Sequence, residues 1–306
     1  MKISGFTMVR NATKYYFPIK ESIQSVLPIV DEFIVALGDC DPDDHTRAEI
    51  EALGSDKVKI YERVWSEQAF VDGRIFAEET TFALSQCQGD WCLYLQADEV
   101  IHEQDLPLIQ ARCTDNLARP EVEGFLFDYY HFFGDYEHFL PFHGWYQQEI
   151  RIVRNHIGVY SHKDAQSFRK GDGQKLRVLP IQAHIYHYGW VRPPHLMQSK
   201  KKEQDSMHHG REQVRTTYQT RPDMFDYGAL GRLPQFEGSH PRVMEAFRAR
   251  LDWRDQLNYT RQAHLTRAKM KHERLKYRLI TRLEQALNGG KALFGYRNWR
   301  ELKPRS

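Results

Sequence analysis

Apolar and polar positions follow two alternating periods through the first half of the chain. Ile3–Val9, Glu32–Leu37 and Val58–Val64 are short apolar runs, and each predicts a strand. Helical spacing fills the intervals. One helix is expected from about Tyr16 to Val26, before Pro28. A second should begin at Thr46, where Glu49 completes a capping-box pattern, and stop near Gly54. A third opens at Asp72-Gly73 and runs through Gln88, with Phe76, Thr80, Ala83 and Cys87 on one face and Gly89 as its stop. Gly89–Leu95 then predicts a fourth strand. Strand and helix in strict alternation imply an α/β fold, with a mostly parallel sheet flanked by helices and right-handed crossovers.

The fourth strand organises the rest. Trp91–Leu95 is apolar on both faces, as suits the middle of a covered sheet. It delivers Gln96, Asp98 and Glu99 to its carboxyl end, where open α/β sheets bind ligands. A carboxylate there can hold a divalent cation against phosphate oxygens; the plainer alternative is a strand ending in solvated acids. Arg10-Asn11 and Asp39 with Asp41 follow the first two strands, so parallel pairing puts all three clusters on one edge. No GxGxxG follows the first strand and no GxxxxGK[ST] occurs, which argues against nucleotide sites built on glycine-rich turns.

MVRN after the first strand, GDCDPDDHT after the second, the helix DGRIFAEETTFALSQCQGDW and the strand ending LQADE together resemble a family 2 glycosyltransferase of the GT-A fold. The resemblance is specific over Ile3–Ile101 and looser to Pro194. It implies transfer of a sugar from a UDP- or GDP-linked donor, usually with inversion and with Mg²⁺ or Mn²⁺. The family's Asp-x-Asp motif has Gln96 at its first position here. Asp98 therefore carries over as the metal ligand, Gln96 is left to hydrogen-bond a phosphate or sugar hydroxyl, and Glu99 is the next ligand or a group behind it. The resemblance also puts Arg10 and Asn11 near the ribose and Asp39 near the base, with Asp41 as its rival. Favourable charge ahead of the Thr46 helix is the alternative for these acids. Arg74, at a helix start near the metal strand, suits a diphosphate, or is simply a surface residue. A later histidine in similar enzymes completes the metal shell, and the YHYGWV context fits His187 better than His184.

Further on, a helix is expected over about Glu103–Arg112 and a strand over Gly124–Phe133. The loop after it holds Tyr136, Phe142 and Trp145, which are either sugar platforms or core filler. Gln148–Arg154 predicts another strand. Its Glu149 is the candidate general base that takes the acceptor's proton, with Asp128 and Asp135 as rivals. A structural Glu149–Arg151 pair would instead depress that acid's pKa. Arg192 and Lys200-Lys201-Lys202 could neutralise a leaving diphosphate, or form a solvated face.

The character changes after Met197. A charged helix is expected over Gln198–Thr217, an irregular Gly/Pro-rich stretch over Arg221–His240, a helix over Pro241–Asp252, and a long helix from Arg261 to about Leu287. This divides the chain into a GT-A catalytic domain over 1–195 and a helical region over 196–306. The net charge of +2 conceals an asymmetry, because residues 261–306 carry +10 and the remainder −8. Leu275, Leu279, Leu283 and Leu287 recur every four residues within that basic tail. Such a helix can rest on anionic lipid, pack on the acidic body, or self-associate. A membrane contact would suit a glycan or lipid-linked acceptor, as in polysaccharide biosynthesis. Cys40, Cys87, Cys92 and Cys113 form no CxxC pair, and no stretch has signal-peptide or membrane-span character. A cytoplasmic protein, peripheral on the inner face of the membrane, is the expectation. A nucleotidyltransferase would need a basic phosphate loop where only Arg10 and Lys14 stand. A non-catalytic lipid or RNA binder would work through the tail, but that tail lacks the interleaved aromatics of nucleic-acid recognition.

Overall fold

The computed structural model describes residues 1–289, 292–293 and 296–303. The first half runs β1 (Ile3–Val9), α1 (Ile19–Val26), β2 (Glu32–Leu37), α2 (Thr46–Glu51), β3 (Val58–Glu62), α3 (Arg74–Ser85) and β4 (Trp91–Tyr94). It continues through β5 (Glu99–Ile101), α4 (Leu106–Asp115), β6 (Gly124–Phe133), β7 (Gln148–Arg154), β8 (Val159–His162), β9 (Ser167–Lys170), β10 (Gln174–Lys175) and β11 (Arg177–Trp190). After these come α5 (Pro194–His209), α6 (Arg211–Tyr218), α7 (Glu245–Arg248), α8 (Leu275–Asn288) and β12 (Arg300–Glu301).

The main sheet has the order β3-β2-β1-β4-β7-β6-β11-β12, with β5 paired to β11. Only β7 and the short β5 run against the rest. This is a mainly parallel α/β architecture, the sheet flanked by helices. β8, β9 and β10 form a separate small antiparallel sheet. Alternation along β4 divides the two cores. Trp91 and Leu93 pack with Ile19, Ile23 and Ile109 of α1 and α4, while Cys92 and Tyr94 pack with Ala83 and Leu84 of α3. All four cysteines are free.

Several boundaries differ from expectation for local reasons. The Thr46 hydroxyl accepts from Ala12 N–H at 2.7 Å and so ties down the loop after β1; Asp44 Oδ1 accepts from Thr46 N–H at 2.8 Å in its stead. The expected Gln198–Thr217 helix is two helices, broken at Gly210, whose φ of 81° and ψ of 150° favour glycine. The expected Pro241–Asp252 helix contracts to α7 and a preceding 3₁₀ turn. No long helix starts at Arg261. Asp226 accepts from Thr266 N–H at 2.8 Å, and Arg267 pairs with Glu273 at 2.7 Å, so these residues strap over the body and α8 begins only at Leu275. Of the basic tail, residues 290, 291, 294, 295 and 304–306 lie outside the described residues.

The stretch after α6 shares its core with the sheet. Phe225, Tyr227, Leu230, Phe247 and Trp253 pack with Phe132, Phe133 and Tyr188. No helix among the described residues is long and apolar enough to cross a membrane.

Candidate active site

Topology concentrates polar groups on one sheet edge. β1, β4, β6 and β11 present their carboxyl ends there, and antiparallel β7 presents its first residues. Arg10, Gln96, Asp98, His131, Glu149 and His187 thereby line a cleft of about 340 Å³, to which Lys200 and Glu203 of α5 also contribute. Trp65 and Trp145 form part of its walls, and Asp164 and Gln166 reach it from the β8–β9 turn.

The pairing of β5 with β11 sets His187 opposite Glu99, hence beside Asp98. His187 Nε2 lies 3.8 Å from Asp98 Oδ2, and Lys200 Nζ lies 3.5 Å from the same oxygen. A hydrogen-bond chain fixes the imidazole tautomers. The Tyr146 carbonyl can only accept, so His131 Nε2, 2.6 Å away, carries a proton. Burial pulls the pKa of His131 down to about 4 and that of His187 well below its usual value, so both rings are neutral. His131 Nδ1 is therefore bare and accepts from His187 Nδ1–H at 2.9 Å. That leaves the lone pair of His187 Nε2 facing Asp98. Burial opposes the charge on Asp98, but its neighbours, Lys200 and Arg192 among them, hold the carboxyl below its usual range.

Asp98 Oδ2 and His187 Nε2 are the two groups here that could hold a cation. A Cβ on Gly189 would stand 2.6 Å from His187 Nε2 and 2.7 Å from Asp98 Oδ2, so the absence of a side chain keeps the gap between these two side chains open. Among the described residues no three His, Cys, Asp or Glu side chains form a metal cage. Two protein ligands are nonetheless what Mg²⁺-type sites use when substrate phosphates and water complete the shell. The Lys200 ammonium also donates to the Gly189 carbonyl at 2.8 Å, and burial brings its pKa down to about 7.

The two glutamates differ sharply. Glu99 is fully buried and is not part of the cleft lining. Arg151 donates to its two oxygens at 2.8 and 2.7 Å, Tyr129 Oη donates at 2.8 Å and Gln96 N–H at 3.1 Å. It is a buried counter-ion beneath the cleft, with no oxygen left for a metal. The expected alternative of a Glu149–Arg151 pair is replaced by this Glu99–Arg151 pair. Glu149 Oε2 is buried and has no hydrogen-bond partner among the described residues, and burial raises the carboxyl to about 8, with Glu99 and Asp164 adding to the rise.

The β1 and β2 ends form one network at the rim. Arg10 lines the cleft and reaches Glu203 at 3.0 Å, the Asp39 carbonyl at 3.0 Å and Asp41 at 3.5 Å. Asn11, with φ of +55°, accepts from Asp41 N–H at 2.8 Å, and Asp39 accepts from Trp65 N–H at 3.0 Å. Arg74 stays outside: it is exposed on α3 and paired with Glu78 at 3.0 Å. Arg192 is buried, donating to the Gly189 carbonyl at 3.0 Å. His184 stacks on Tyr130 at 4.6 Å, away from the cleft. Asp128 accepts from Gln148 at 2.8 Å and Asp135 holds His138 at 3.0 Å. Of the three aromatic candidates Trp145 lines the cleft, whereas Tyr136 and Phe142 pack on neighbouring rings. His131, Asp164, Gln166 and Trp65 escaped the sequence reading. The aromatic run holding His131 reads as core, and the HKDAQ stretch reads as an exposed turn.

No protein-family model and no curated protein sequence matches the chain. The chain partly resembles several solved structures. Glucosyl-3-phosphoglycerate synthase from Mycobacterium tuberculosis, solved with Mn²⁺, UDP and phosphoglyceric acid, is 20% identical, with a TM-score of 0.29 over 42% of this chain and 43% of that one. S. aureus TarS residues 1–349, solved with UDP, is 14% identical, with a TM-score of 0.35 over 68% of this chain and 65% of that one. The chain thus spans less than half the length of the synthase.

Proposed function

We propose that this chain is an inverting glycosyltransferase that moves a sugar from a nucleotide-sugar donor to an acceptor hydroxyl. The observation that carries the reading is the meeting of Asp98, the bare Nε2 of His187 and the unpartnered Glu149 in one cleft at the strand ends. A Mg²⁺ or Mn²⁺ ion between Asp98 and His187 would neutralise charge on the donor diphosphate. Arg10 and Lys200 line the same cleft and favour the same anion. Trp65 and Asp39 stand at the rim where the nucleoside would rest, and Trp145 offers a ring face to a sugar.

Glu149 is the base. As a carboxylate it takes the acceptor's O–H proton while that oxygen bonds to the anomeric carbon. The bond from this carbon to the diphosphate oxygen breaks, and its electron pair leaves with the nucleoside diphosphate. A pKa of about 8 makes Glu149 a strong enough base to keep the proton it receives. Its buried oxygen, short of a partner, is ready for one hydrogen bond from an acceptor hydroxyl.

The test is a panel of UDP- and GDP-sugars assayed for hydrolysis and transfer, with Mn²⁺, with Mg²⁺ and with chelator. One donor should turn over with metal. Asp98→Asn, and Gly189→Ala, whose methyl enters the cation gap, should each lose about a hundredfold or more. Failure of every nucleotide-sugar to bind or react under all three conditions would overturn the proposal.

A further inference from the structure

We infer that α8 is a docking surface for an anionic lipid bilayer, presented beside the cleft. The helix packs inside out. The two buried side chains of the helix are polar, Thr281 and Glu284, and they face the protein. Thr281 Oγ1 accepts from His143 N–H at 2.8 Å, Glu284 Oε1 lies 2.8 Å from His143 Nδ1, and Tyr277 stacks on the His143 ring. Its leucines face outward. Leu275, Leu279, Leu283 and Leu287 form one row at four-residue spacing and are 72%, 48%, 56% and 72% exposed. An amphipathic helix on a soluble body normally buries that row and exposes the polar one. Four neighbouring exposed leucines mark a surface that meets another apolar phase.

Charge selects the occupant. Arg274, Lys276 and Arg282 are exposed around the row and Arg278 is half-buried, while the helix's one acid, Glu284, is turned into the protein. A second copy of α8 laid on the first would bring two sets of cations together. A row of four leucines also falls far short of the roughly 800 Å² per partner of a stable protein interface. An anionic bilayer answers both features, taking the leucines into the acyl boundary and the Lys and Arg side chains among its headgroups. The 14-residue helix would lie in the plane of the interface.

Its position links this surface to the cleft. Lys271 donates to the Gly144 carbonyl at 3.1 Å, and His272 packs 5.9 Å from the ring of Trp145, which lines the cleft. Docking α8 therefore brings the cleft wall to the lipid surface. On the transferase reading, that favours an acceptor carried by lipid.

Co-sedimentation of the full chain with vesicles of phosphatidylglycerol and phosphatidylcholine, against phosphatidylcholine alone, tests the inference. The wild type should bind the anionic vesicles, weaken as salt rises, and leave the neutral ones. A Leu279→Ser/Leu283→Ser pair and an Arg278→Ser/Arg282→Ser pair should each lose tenfold or more in binding. Thermal unfolding and nucleotide-sugar hydrolysis in solution should stay unchanged, which separates this result from the fate of the transferase reading. Equal sedimentation of wild type and the leucine pair would overturn the inference. So would a concentration-dependent dimer, abolished by the leucine pair, in a protein that ignores both vesicles.

Discussion

Two buried carboxylates, one beneath the cleft and one inside it, depend on the same arginine and end in opposite states. β7 supplies Arg151 and Glu149, two residues apart and so on the same side of the strand. Arg151 turns to Glu99, which accepts two hydrogen bonds from it and two more from Tyr129 and Gln96. That group is saturated, and its charge is cancelled where it sits. Glu149 receives only the longer-range influence of Arg151, keeps an orphaned oxygen, and is pushed up to about 8 by burial. A buried acid whose hydrogen bonds are complete builds structure. One left short of partners holds free energy in reserve for a ligand or a proton.

Glu149→Gln should break that contrast most visibly. Loss of the base should lower turnover by about 10²–10⁴-fold, measured with the donor the nucleotide-sugar panel identifies. Stability should move the other way. The folded pKa of Glu149 is above its unfolded value, so the native state binds the extra proton between about pH 4.5 and about 8, and its stability declines as pH rises through that window. The amide that replaces the carboxyl has no such proton, so thermal unfolding of the variant should lose this part of the decline. The wild-type rate should climb toward about pH 8 as the carboxylate forms. A variant that keeps full activity would remove Glu149 from the chemistry.

Glu99→Gln should give the complementary result. It leaves the Arg151 guanidinium buried without its counter-charge, a loss of about 3–5 kcal/mol in stability read by denaturant unfolding. Arg151 would then act more strongly on Glu149, so the acid limb of the rate profile should move to lower pH in whatever protein remains folded. An unchanged unfolding midpoint would show that the Glu99–Arg151 pair holds nothing together.

The chain announces one of these acids better than the other. The strand ends carrying Arg10, Gln96 and Asp98 are legible because apolar runs and helical spacing alternate without interruption over the first hundred residues. Glu99 looks like a ligand because it adjoins Asp98, the expected one; its partner Arg151 lies 52 residues away and is set by where β7 inserts between β4 and β6. Asp164 and Gln166 reach the cleft from a turn in which Lys163 and Ala165 take positive φ, and no local pattern foretells that backbone. Trp65 is a lone aromatic after β3. It nestles close to Gly38, where a Cβ would meet its Nε1 at 2.7 Å. In α8 the four-residue spacing identifies the leucine row correctly. Periodicity tells which residues share a face and is silent on which face packs; the His143 contacts to Thr281 and Glu284 decide that.

The smallest expected effect concerns the residue behind His187, the proposed cation ligand. His131 holds the proton pattern that leaves His187 Nε2 bare, through Tyr146 O on one side and His187 Nδ1–H on the other. His131→Phe removes the acceptor for that N–H and frees the His187 ring to turn or to take the other tautomer. Mn²⁺ affinity, read by titration calorimetry or by loss of the free-ion paramagnetic resonance signal, should weaken about 10–100-fold, the usual cost of losing the group behind a metal-bound histidine. His131→Gln restores a carbonyl acceptor and should recover part of it, which a purely packing role would not predict. Asp98 is untouched in both variants, so the residual affinity reports what one carboxylate binds alone. If the His131→Phe variant binds Mn²⁺ as tightly as the wild type, the imidazole pair is core packing like Glu99 and Arg151, and the cation, where it binds, owes nothing to the tautomer of His187.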